Sequence, residues 1–245
     1  MIRCTGLTVA LSGRVVLDAI DVEARRGEAI AIVGRNAAGK TTLVRAMAGL
    51  IPPARGDVLW DGVNVSSLHV RVRAQRCAFV PQRPQVSARF SVRETIELGR
   101  FALPPNPQRI AAALDRTGLD LLADRPYHEL SLGQQQRVAL ARVFAQIADD
   151  GCLLVDEPFA AMDLGEADRC LKLLREHAQR GVVVAVLHDL AQARALADQV
   201  WLLDAGNLIA RGRPTDLFQP EFLAAHFGVP FGLSADGAPV PRFGG

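Results

Sequence analysis

Two rhythms of apolar spacing divide the chain. Near the start, Leu7–Leu11 and Val15–Ala24 alternate apolar and polar positions on either side of the turn-prone pair Ser12-Gly13, which predicts strands of a small antiparallel sheet. From Glu28 the alternation stops. Glu28–Gly34 is an almost unbroken apolar run, the pattern of a strand buried on both faces. Lys40–Gly49 then spaces its apolar residues near the helical period, and Gly49 is placed to end that helix. Strand, glycine-containing turn and helix is the order of an α/β unit. Gly56–Gly62 reads as a further strand running into a turn.

From Pro84 to about Pro126 the spacing becomes helical. Ser91 is followed three positions on by Glu94, a capping box ahead of Thr95–Leu103. Pro104, Pro105 and Pro107 break that helix, and Pro107–Leu119 restarts it. The stretch predicts a helical insertion, about 84–149, within an α/β core made of about 1–83 and 150–230. Beyond the insertion, Cys152–Val155 and Val182–Leu187 are buried-strand runs with a helical stretch, Glu166–Gln179, between them, which is how parallel strands are joined. A doubly wound core is therefore expected. Val200–Gly212 predicts a hairpin, and 231–245, rich in glycine and proline, is expected to be loosely held. No internal repeat or low-complexity tract interrupts this single-domain reading.

A length of 245 residues suits one large domain. Hydrophobic residues make up 49% of it, yet the longest apolar runs fall far short of the roughly 20 residues a membrane span needs. The first residues hold no apolar core followed by a cleavage site, so a secretory signal is not expected and a cytoplasmic location is. A net charge of +2, with arginines scattered among acidic residues, gives no reason to expect nucleic acid as a partner. Cys4, Cys77, Cys152 and Cys170 lack the spacing of a zinc site and fit a reduced compartment.

The chemistry starts at Gly34, Arg35, Asn36, Ala37, Ala38, Gly39, Lys40, Thr41 and Thr42, which satisfy the pattern G-x-x-x-x-G-K-[ST] between a buried strand and a helix. A turn of this kind aims successive backbone N–H groups inward as an anion nest, and the helix start adds partial positive charge. Lys40 would reach the β- and γ-phosphates of a nucleotide, Thr41 would offer its hydroxyl to Mg²⁺, and Thr42 would face the α- or β-phosphate. The bland reading is a strand-to-helix turn with a surface lysine, and the strand and helix around the motif count against it. Asp156 and Glu157 end an apolar strand, where ligands bind in open α/β sheets. Neighbours on a strand point to opposite sides, which gives the two carboxylates different tasks: Asp156 for the Mg²⁺, Glu157 for polarising the attacking water. The bland reading here is a solvated acidic pair.

Ser131 and Gln134 form a second capping box. A capped helix still presents free N–H groups and a positive dipole end, and Gly133 is expected to leave that end unobstructed. Because the chain's own phosphate loop already encloses a nucleotide, this helix start is most economically explained if it faces a nucleotide held by another copy of the chain.

Taken together and in order, "GRNAAGKTT", "FVPQ", "LSLGQQQRV", "LLVDEP", "AAMD" and "VLHD" resemble the ATP-binding subunit of an ABC transporter over nearly the whole chain. The resemblance implies a P-loop ATPase core with an N-terminal antiparallel β subdomain and an inserted α-helical subdomain. It implies ATP and Mg²⁺ as cofactors, and a head-to-tail dimer, with a copy of itself or a second ATPase subunit, enclosing two ATP molecules. Ser131, Gly133 and Gln134 would contact the partner's ATP, and Asp163 would cross the interface. Gln82 would sense Mg²⁺ and the water, and His188 would hold the γ-phosphate and position Glu157. Standing alone, His188 would be read as a strand-end histidine and Gln82 as an ordinary loop glutamine. The further partners implied are integral membrane permease subunits and, indirectly, an extracytoplasmic substrate-binding protein, which places the chain on the cytoplasmic face of the inner membrane.

Three positions depart from the family pattern. Leu132 and Ala37 stand where glycine is usual, so Ala37 must avoid positive φ or accept strain. The aromatic that commonly stacks on adenine would fall at Leu11, leaving base contact to Leu11 and Val16. Glu94–Phe101, Leu187–Pro214 and the ending Leu217–Val229 resemble importers of iron-siderophores, haem or vitamin B12. An exporter subunit, or a soluble ATPase of the family acting in DNA repair or translation, would share the same engine. The long coiled-coil or zinc insertions common in the soluble class are not visible here.

Overall fold

The computed structural model describes residues 1–86, 89–235 and 237–242. The N-terminal alternation becomes two long strands, β1 (Ile2–Leu11) and β2 (Arg14–Ala24), paired antiparallel through the turn at Ser12 and Gly13. The buried-strand run is β3 (Glu28–Gly34), followed by α1 (Lys40–Met47). Then come β4 (Arg55–Trp60), β5 (Val63–Asn64), α2 (Val70–Arg76) and β6 (Cys77–Val80). The helical insertion holds α3 (Val92–Glu97), α4 (Pro107–Thr117) and the start of α5 (Leu132–Gln146). The core resumes with β7 (Cys152–Asp156), α6 (Leu164–Ala178), β8 (Val182–Val186), α7 (Leu190–Leu196), β9 (Gln199–Asp204) and β10 (Asn207–Gly212). It closes with α8 (Pro214–Leu217), α9 (Pro220–Phe227) and a hairpin of β11 (Phe231–Leu233) and β12 (Pro239–Pro241).

Two sheets result. One is antiparallel in the order β2-β1-β4-β5; the other runs β10-β9-β3-β8-β7-β6, parallel from β9 to β6 with β10 antiparallel at one edge. Period two in the parallel strands sorts their side chains into separate cores. Ala29, Ala31 and Val33 of β3, with Leu153 and Val155 of β7, face α5, α6 and α7. Ile30 and Ile32, with Leu154, Val184 and Trp201, face α1 and the antiparallel sheet, whose Leu7, Val9, Leu17 and Trp60 complete that core. A third cluster, including Val92, Ile96, Leu114 and Tyr127, holds the helical insertion together. At about 1.5–3 kcal/mol for each fully buried large aliphatic side chain, these cores fix the frame on which the strand ends are displayed.

One expectation meets local order, and part of it lies outside the described residues. The stretch 231–245 was expected to be loosely held, yet β11 and β12 pair, Arg242 N donates to Pro230 O at 2.8 Å, and the Phe227 and Phe231 rings lie 6.0 Å apart. Ser234 Oγ also accepts from Ala238 N at 3.0 Å across the turn. Local turn chemistry and an aromatic anchor outweigh the glycine and proline content. Residues 236 and 243–245 of that stretch are outside the description.

Candidate active site

Four neighbouring parallel strands end at one edge of the sheet, and each delivers a functional side chain there. β3 runs into the phosphate loop, β6 into Gln82, β7 into Asp156 and Glu157, and β8 into His188. An open cavity of about 670 Å³ lies over these ends. It is lined by Val16, the loop from Asn36 to Thr42, Gln82, Glu157 and His188. The sequence reading placed all of these at a nucleotide, and the fold brings them to one place.

The loop has the backbone the motif requires. A Cβ on Gly34 would stand 2.0 Å from Leu203 O, and one on Gly39, at φ +99°, would stand 2.6 Å from Leu17 Cδ2. Only glycine fits either position. Ala37 takes φ 62°, so it accepts left-handed backbone rather than avoiding it, at a cost of roughly 1–2 kcal/mol. Lys40 is 6% exposed, and its Nζ donates to Gly34 O and Arg35 O, both at 2.8 Å. Those two carbonyls hold the ammonium over the loop. Burial pulls the Lys40 pKa below its ordinary value, while the carboxylates of Glu157 and Asp156 oppose the shift. An arriving phosphate would favour the charged form further.

Asp156 is 1% exposed. Its Oδ1 accepts from Thr41 Oγ1 at 3.1 Å, and Oδ2 is buried without a hydrogen-bond partner among the described residues. Burial raises the Asp156 pKa, the Thr41 hydrogen bond opposes that, and the Glu157 charge adds to it. A buried orphan carboxylate oxygen beside a threonine hydroxyl is a hard-oxygen donor set of the kind a small divalent cation takes up together with substrate phosphates. The residues present therefore fit Mg²⁺.

Glu157 has left the strand. It adopts φ 48° immediately before Pro158, and its N–H donates to Val186 O at 3.1 Å. Left-handed backbone on a non-glycine residue costs of order 1–3 kcal/mol and persists where surrounding contacts over-determine it. The two carboxylates diverge because of this backbone turn, in place of the strand alternation expected from sequence. Gln82 Nε2 donates to Glu157 Oε2 at 2.6 Å, and His188 Nε2 lies 2.5 Å from Oε1. An ionised carboxylate only accepts, so His188 donates from Nε2, and each Glu157 oxygen keeps a lone pair for water.

The remaining predicted residues lie elsewhere. Leu11, at the end of β1, is exposed and is not among the residues lining the cavity, whereas Val16 is. Ser131 caps α5, accepting from Gln134 N at 3.3 Å, and Gln134 Oε1 accepts from Ser131 N at 3.0 Å. Gly133 is also set by packing within the chain. It is buried, and a Cβ there would stand 2.4 Å from Ala161 O. Its missing side chain lets α5 pack on the segment after Glu157. Asp163 caps α6 through Oδ1, which accepts from Glu166 N at 2.8 Å. None of Ser131, Gly133, Gln134 or Asp163 lines the same chain's cavity. Gln136, one turn into α5, escaped the sequence reading, and the run of three glutamines was the only hint of it.

The sequence profile of the ABC transporter family matches residues 17–160. The hemin import ATP-binding protein HmuV of Streptomyces coelicolor is 43% identical over 98% of this chain and 86% of its own length. The cobalamin import ATP-binding protein BtuD of Halobacterium salinarum is 37% identical over 96% of this chain and 60% of its own length. Among solved structures, an ATP-binding subunit of an ABC transporter superposes with a TM-score of 0.81 at 23% identity, over 96% of each chain, a likeness of fold.

Proposed function

The chain belongs to the ABC transporter family, as an ATP-hydrolysing subunit, and from that premise we propose that it drives a membrane permease importing a haem- or cobalamin-type cargo. The observation that carries the catalytic part is Glu157, held between Gln82 and His188 at the mouth of the phosphate-loop cavity. The names of two relatives support the cargo class.

In the proposed mechanism the loop N–H groups and Lys40 bind and orient the β- and γ-phosphates of ATP, so that most of the catalysis is positioning and charge stabilisation. Thr41 and Asp156 would hold Mg²⁺, which supplies neutralisation of phosphate charge when bound. Glu157 accepts a hydrogen bond from the attacking water and aligns it with the γ-phosphorus. Gln82 and His188 keep that carboxylate from rotating away. The start of α5 and Asp163 would face a nucleotide bound by a second copy, two chains enclosing two MgATP head to tail. Closing and opening of that dimer is a population shift set by differential affinity for ATP.

No helix among the described residues is long and apolar enough to cross a membrane. Permease contact would then be peripheral, on the cytoplasmic face. The helical insertion offers a groove of about 400 Å³ lined by Leu103, Pro105 and Ile110, with Phe101 91% exposed at its edge. A permease helix docked there would feel the closure of the dimer. An extracytoplasmic binding protein would deliver cargo to that permease and need not touch this chain. The test is to tag the chain, solubilise membranes gently and identify by mass spectrometry what co-purifies. A many-helix permease is the expected result; only soluble proteins or nucleic acid would overturn the transport reading.

A further inference from the structure

We propose that Gln136 is a positioning residue for hydrolysis, tying the strand-end loop that carries Gln82 to the segment that follows Glu157. Its side chain is 2% exposed and both ends of the carboxamide are engaged. Nε2 donates to Gln82 O at 3.3 Å, and Oε1 accepts from Ala161 N at 3.2 Å. Gln82 in turn donates from its own Nε2 to Glu157 Oε2 at 2.6 Å, and Ala160 N donates to Glu157 O at 3.4 Å. The bonds close a ring: the Glu157 carboxylate, the Gln82 side chain and carbonyl, the Gln136 amide, and the backbone leading back to Glu157.

Three separate parts of the chain meet in that ring, and Gln136 alone belongs to none of the loops it joins. It stands on α5, whose first turn comes so near the same residue that a Cβ on Gly133 would stand 2.4 Å from Ala161 O. A shift of α5 must therefore move both the loop that orients the Glu157 carboxylate and the segment that sets its backbone. Glu157 has strained, left-handed backbone, so it depends on such external contacts to hold its direction. A plain buried amide satisfying its own hydrogen bonds would look similar in isolation. The difference is that Gln136's partners are the two supports of one carboxylate.

The inference rests on the assignment of Glu157 and Gln82 to catalysis. It is tested on the full-length chain with Gln136→Met, which keeps the length and removes both bonds, and Gln136→Glu, which keeps the acceptor for Ala161 N and loses the donor to Gln82 O. Controls are Gln82→Ala and Glu157→Gln. Both Gln136 variants are expected to lower kcat about tenfold, the scale on which small displacements of a reacting group act, with the KM for ATP within about twofold. Because Gln136 and Gln82 act on the same carboxylate, the pair Gln136→Met and Gln82→Ala should lose less than the product of the two single losses. A folded Gln136 variant with full kcat, losses that multiply with Gln82→Ala, or a fall in kcat that only tracks a lower Tm would each overturn it. If the methionine variant does not fold, the glutamate variant decides. Full activity in Glu157→Gln would instead bring down the catalytic assignment itself.

Discussion

Leu132 is 48% exposed at the first turn of α5 and makes no demand on the core. Its replacement of the usual glycine is therefore expected to be tolerated. Leu132→Gly should leave ATP turnover within about threefold, since the exposed side chain packs into none of the cores of its own chain and glycine keeps the helix-start backbone that would meet a nucleotide; complete loss of turnover would contradict that. His177 offers a residue-scale test of another kind. It is buried, its Nε2 donates to Gly151 O at 3.0 Å, and burial pushes its pKa below the ordinary 6.5. The unfolded chain then binds a proton that the folded chain refuses. Stability held above pH 6.5 should be lost as pH falls from there toward the depressed value. His177→Gln keeps a donor and removes the titration, so between about pH 7.5 and 5.5 the unmodified chain should lose more Tm than the variant. Parallel Tm curves would refute the assignment. At this scale the sequence spoke clearly where chemistry is concentrated in consecutive residues, as at Gly34–Thr42 and Asp156-Glu157. Gln136 was silent because its partners are backbone groups 54 and 25 positions away.

Among the elements, α5 shows why helical spacing and helical role are separate matters. Val138, Ala141 and Ala145 face the insertion's cluster, while Leu140, Val143 and Phe144 face the parallel sheet. A helix apolar on both sides joins two bodies, and the boundary drawn near residue 149 from sequence falls just past its end. The capping box at Ser131 was legible; the tight approach at Gly133 was not, because Ala161 is brought there only by the fold. Gly133→Ala should therefore cost roughly 1–3 kcal/mol through overpacking against a backbone oxygen. A Tm lowered by several degrees is the expected reading, and an unchanged Tm would contradict it. α2 went unforeseen for a plain reason: Val70–Arg76 buries no residue, so no apolar stripe marks it. β3, β7 and β8 were foreseen because both faces are covered and their runs are continuous, whereas the four-residue β6 was not.

For the whole molecule, the order of strands is what turns separate motifs into a site. β6, β7, β8 and β3 lie side by side, so Gln82, Asp156, Glu157, His188 and the phosphate loop meet although they are scattered from residue 34 to residue 188. Lys40, buried and bound to two loop carbonyls, is central to that meeting. Lys40→Ala should abolish productive nucleotide binding, read as lost ATP turnover, and retained activity would remove Lys40 from its role. The proposed dimer would supply what one chain does not. Ser131, Gly133, Gln134 and Asp163 gather on α5 and α6 and none lines their own chain's cavity. The measurement that tests this most directly is light scattering of Glu157→Gln at saturating MgATP. Slowed hydrolysis with intact binding should trap a dimer at twice the monomer mass, dissolving when ATP is removed. A particle that remains monomeric at saturating nucleotide would contradict the two-chain site.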